Sequence, residues 1–133
     1  MDQIDDFILL GLVSAEPDYK LSLSLNKKFG ISLRNIAPVH IPGANGTELH
    51  FSRFADRSES PDRIFNLVSN RSGKNFLVKK LKNIDYIFHI HNPDNELIDT
   101  EITSRVREIS SITAVFNIDT DTIKDKNLTF VIQ

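Results

Sequence analysis

The sequence predicts an α+β protein, with a mainly antiparallel sheet of about six or seven strands and two helices packed on it. Three observations carry this. Stretches with strand periodicity outnumber those with helical periodicity. Most consecutive strand candidates are joined by connections too short for a helical crossover, which makes them antiparallel neighbours. Only two stretches combine helical spacing with capping signals, and such helices bury their apolar stripe against a sheet. The 133 residues, 40% hydrophobic and 26% charged, suit a single domain spanning 1–133, long enough to bury about two-thirds of the surface its unfolded chain exposes.

The first strand is the apolar run Phe7 to Val13, continuous enough to be covered on both faces. A helix over 15–29 follows. Ser14 offers a cap, Pro17 stands in a first turn with Glu16 and Asp18, and Lys27, Lys28 and Gly30 close it. Pro38, Pro42, Gly43 and Gly46 make 30–46 a loop with a short extended piece at 31–34. Alternation returns in 48–54 and 63–69, and 76–81 is read as a further strand. In 84–91 alternation puts Ile84, Tyr86, Phe88 and Ile90 on one face. The turn Asn92-Pro93-Asp94-Asn95 opens a second helix reaching Ser110, with Ile98, Ile102, Val106 and Ile109 as its stripe. Strands at 112–118 and 128–132 complete the sheet.

Composition excludes several function classes. No cysteine is present, which removes disulfides, thiol catalysis and cysteine zinc ligands. No apolar run reaches the length of a membrane span, and the acidic start (Asp2, Asp5, Asp6) is unlike a secretory signal, so a cytoplasmic setting is expected. A net charge of -2 argues against general attraction to nucleic acid, although Arg71, Lys74, Lys79, Lys80 and Lys82 form a local basic cluster. No serine sits in a nucleophile-elbow context and no glycine loop has a phosphate-cradling ending, so neither a catalytic group nor a bound cofactor is expected. Asp119, Asp121 and Asp125 fail the spacing of a calcium loop and suit a polar turn.

Two features remain. On the first helix Leu21, Leu25 and Phe29 form one stripe while Tyr19 and Leu23 fall roughly opposite. That second apolar side is either covered by the 30–46 loop or used in a homodimer or another protein contact. His89 and His91, two apart on a strand, face the same way as Asp85, opposite the apolar face. Glu48 and His50 share the polar face of another strand, so the two strands as neighbours would gather His50, His89, His91, Glu48 and Asp85 around a metal.

The segment Val78-Lys79-Lys80-Leu81-Lys82-Asn83-Ile84-Asp85-Tyr86 resembles a small bacterial family named for the pattern Ile-Pro-Glu-x-x-x-Val-Asp-Tyr. The opening Asp5-Asp6-Phe7-Ile8-Leu9-Leu10-Gly11 and the later Asp18-Tyr19-Lys20-Leu21 are similar to it as well. Lys79 and Lys80 replace the Pro and Glu of the pattern. The resemblance implies a bacterial, cytoplasmic protein and no particular reaction. The sequence therefore points to a non-enzymatic binding or interaction module, with a metal-binding protein or metal-dependent hydrolase built on the strand histidines as the alternative.

Overall fold

The computed structural model describes residues 7–59, 63–91 and 97–131. Strand β1 (Phe7–Ser14) leads into helix α1 (Asp18–Phe29), then β2 (Arg34–Pro42), β3 (Glu48–Glu59), β4 (Arg63–Ser69) and the two-residue strands β5 (Arg71–Ser72) and β6 (Asn75–Phe76). Strand β7 (Tyr86–His91), helix α2 (Asp99–Arg107), β8 (Ile112–Asn117) and the short α3 (Leu128–Val131) follow. Six strands form one sheet in the order β2-β3-β4-β7-β1-β8, and every recorded pairing within it is antiparallel. The α+β architecture expected from the alternation is the one observed.

The sheet is buried on both faces. Ile8, Leu10, Leu12, Leu67 and Phe88 meet Leu21 and Leu25 of α1 and Ile102 and Val106 of α2. Leu9, Phe51, Val68 and Ile87 point the other way, under Leu77, Val78, Ile84, Leu128 and Val131. This explains the unbroken apolar run of β1, whose successive side chains enter two different cores. Among the described residues no helix is long and apolar enough to cross a membrane.

Several elements depart from the sequence expectations for local reasons. Helix α1 starts only at Asp18, because Pro17 is the extended residue before it and Ser14 Oγ is engaged by the Glu16 amide and the Ser111 carbonyl. Gly30 ends it in the left-handed region, at φ 66°, as a closing glycine does. The 34–42 stretch is a strand rather than a loop. It lies at the sheet edge, where proline costs no ladder partner, and Pro38 falls within the register shift between Ile36 and Val39. Residues 76–81 are not a strand: β6 ends at Phe76 and Lys79–Leu81 form a 3-10 turn. Their conformation is set by buried Asn70, whose side chain accepts the Val78 amide and donates to the carbonyls of Leu81 and Ile84. The closing segment is helical, with Leu128 and Val131 three apart on the core side. The Asn92–Asn95 turn and Ile132 lie outside the described residues.

Candidate metal centre

Strands β2 and β3 form a hairpin whose register is fixed by its turn. The Gly43 amide donates to the Thr47 carbonyl and the Thr47 amide to that of Ala44, with Asn45 and Gly46 both at positive φ. That register places His40 directly opposite His50 and Pro42 opposite Glu48. His50 and Glu48 are two apart and so share a face, which is also the face of His40. The rings of His40 and His50 lie 4.1 Å apart, and Glu48 Oε1 sits 3.6 Å from His40 Nδ1 and 3.8 Å from His50 Nε2.

All three ligand atoms fall within 4.8 Å of one another. Ligands about 2.0–2.2 Å from a tetrahedral zinc lie roughly 3.3–3.6 Å apart, so closing on an ion needs only small side-chain rotations for the two carboxylate contacts. The site is exposed, on the helix-side face of the sheet but outside the apolar core that α1 and α2 cover. Two imidazoles and one carboxylate are a donor set for zinc and similar divalent transition ions, and three protein ligands leave one position open.

The five expected ligands do not converge. Strand β4 separates β3 from β7, and following the registers across it puts His50 about five residues, roughly 17 Å, along the strands from His89. The two also occupy opposite faces, since His50 shares the face of Phe54 and His89 that of Leu9. Nor is His89 on a solvent face. It is buried at 3% exposure, its Nδ1 lies 3.0 Å from Asn66 Nδ2, and its ring packs 5.5 Å from that of Phe7. Burial, with the positive charges of His91 and Arg53, pushes its pKa down to about 4. With Nδ1 accepting from Asn66, His89 is a neutral core residue.

Asp85 is committed elsewhere. Its carboxylate accepts the Ser14 amide at 2.9 Å and pairs with Arg71, tying β1 to the start of β7. Tyr86 donates its hydroxyl to the Glu16 carbonyl at 2.6 Å, and burial, with Asp18, Asp85 and Glu16 nearby, raises its pKa to about 12. Tyr19 and Leu23 stand 56% and 63% exposed, because 34–42 pairs into the sheet and leaves that side of α1 uncovered.

The candidate ligand absent from the expected set is His40. Its signal was the Asn45-Gly46 pair, a strong hairpin-turn dipeptide with Glu48 and His50 on one side. The prolines that made the other arm look like a loop concealed it. Compared with known protein families and with curated proteins, the chain matches none.

Proposed function

We propose that this is a metal-binding protein that holds a divalent transition ion, zinc foremost, between His40, Glu48 and His50. The observation that carries the reading is the convergence of three ligand atoms within 4.8 Å on a hairpin whose turn fixes their register. The two histidines supply neutral nitrogen donors and Glu48 the charge that offsets part of the ion's own. The fourth position faces water, the arrangement in which a bound water becomes a nucleophile, and this is the chemical basis for extending the reading to hydrolysis.

Calorimetric titration of the metal-free protein with zinc tests it. A single ion per chain, lost in His40→Ala and in His50→Ala and retained in His91→Ala, is the expected result. Absence of saturable binding, or binding that survives both substitutions, would falsify the reading. Turnover of an activated ester by the zinc form, abolished with the ion by His50→Ala, tests the hydrolytic extension.

A second reading rests on a separate observation, the exposed Tyr19 and Leu23 of α1. Two apolar side chains one turn apart on a helix form the seed of a contact with another chain, and a second copy is the simplest partner. Light scattering across a concentration series should then show a dimer that Leu23→Ser dissociates.

A further inference from the structure

On the sheet face opposite α1 and α2, the covering layer leaves a depression of ≈ 860 Å³ between the 79–84 segment and the 116–123 segment. Pockets for small molecules run from about 300 to 1,000 Å³, so it has the size of a ligand site. Its apolar side is built from Ile84, Phe116, Ile118 and Ile123. Phe116 remains 51% exposed there, a large aromatic left without cover.

The floor is fixed by close packing. Ile84 lies over Gly11 of β1 so tightly that a Cβ at position 11 would fall 2.8 Å from Ile84 Cδ1. The wall is equally determined, because Asn70 binds the backbone at Val78, Leu81 and Ile84. That wall carries Lys79, Lys80 and Lys82 on the rim. Among the described residues no carboxylate pairs with these three ammonium groups. The lone carboxylate of the lining, Asp119, is turned to its own segment, accepting the Asp121 amide at 2.9 Å and the Thr122 hydroxyl at 3.0 Å.

An apolar floor under a rim of cations that meet no carboxylate, with Lys80 reaching only the Lys124 carbonyl at 3.5 Å, selects a molecule with an apolar body and an anionic head. We propose that this depression binds a small amphipathic carboxylate, its chain or ring against Ile84 and Phe116 and its head between the lysines. A neutral molecule forgoes the lysines and a cationic one meets their charge, whereas an acidic peptide offers charge but leaves the apolar floor unfilled.

Octanoate, followed by amide chemical shifts of the full chain, is the probe. Saturable shifts confined to 79–84 and 116–123 are expected, with octanol and octyltrimethylammonium each weaker by about tenfold or more, as loss or reversal of two or three partly screened ion pairs gives. Lys80→Glu should weaken octanoate and leave octanol unchanged, and Phe116→Ser should weaken both. Because both side chains are exposed, each variant can be shown folded by its unperturbed spectrum elsewhere. Non-saturating or scattered shifts, equal binding of octanol, or tighter binding of an oligoglutamate peptide would each overturn the proposal.

Discussion

Polar side chains gather in two parts of this sheet, around strand β7 and on the β2–β3 hairpin, and they follow opposite rules. Around β7 the buried or half-buried side chains His89, Asp85 and Tyr86 each meet a protein partner, respectively the Asn66 amide nitrogen, the Ser14 amide and the Glu16 carbonyl, while Asn66 Oδ1 is left buried without one. On the hairpin His40, Glu48 and His50 are exposed, and they converge on one another rather than on the backbone. A buried polar group without its partner costs free energy, so the first set is explained by folding alone. Exposed groups gain little from proximity, so folding does not account for the second set.

The largest effect expected from breaking this contrast lies at Asn70. Its fully buried amide serves three backbone groups, two of them at 2.8 Å. Asn70→Ala would strand those groups and should cost about 4 kcal/mol. Urea unfolding should show a lower midpoint at unchanged slope. A loss under about 1 kcal/mol would mean that water replaces the side chain, and the β7 region would no longer count as closed to solvent.

Next is the titration of His89. Its folded pKa of about 4 lies below the ordinary value of 6.5, so between these values the unfolded chain binds more protons than the folded one. Stability is therefore full above pH 6.5 and falls as pH drops toward 4, by about 3 kcal/mol at most. Carboxylates contribute to acid unfolding as well, so the measurement is the difference between wild type and His89→Gln across that window. Parallel pH profiles for the two proteins would show that His89 becomes charged without penalty.

How much of this was legible follows from the same contrast. Strand β1 was readable from its unbroken apolar run, which is buried on both faces, and the core stripe of α2 because burial follows period, with Ile102, Val106 and Ile109 entering the core as their spacing requires. Ile98 does not, standing 53% exposed at the residue before the helix. The 76–81 segment was unreadable because a distant side chain, Asn70, decides its conformation. Strand β2 was hidden by prolines that an edge strand tolerates, and with it went His40. For His89 the strand phase was right and the environment wrong, since alternation gives the face of a residue but not what covers that face.

A third break, smaller in stability and specific to the hairpin, is His50→Ala. Removing a partner that merely orients a metal ligand costs roughly ten- to a hundredfold in affinity, so removing the ligand itself should cost about a hundredfold or more. The metal-free variant should unfold within about 0.5 kcal/mol of wild type, as exposed substitutions do. Zinc titration and denaturant unfolding of one preparation read both numbers. If stability and affinity fell together, the ring would belong to the packing of the hairpin.

The smallest effect is the most discriminating. Glu48→Gln keeps the shape of the side chain and removes its charge, and its contacts to the two histidines are 3.6 and 3.8 Å long between side chains about half exposed or more. Pairs of that kind contribute about 0–1 kcal/mol, so the metal-free variant should differ from wild type by less than about 0.5 kcal/mol. Zinc binding should nonetheless drop sharply, because a neutral amide oxygen replaces the one anionic donor of the set. A carboxylate retained to steady two imidazoles would give the reverse, a measurable loss of stability with metal affinity little changed. The two outcomes separate a hairpin that stores its polar residues for folding, as β7 does, from one that presents them to an ion.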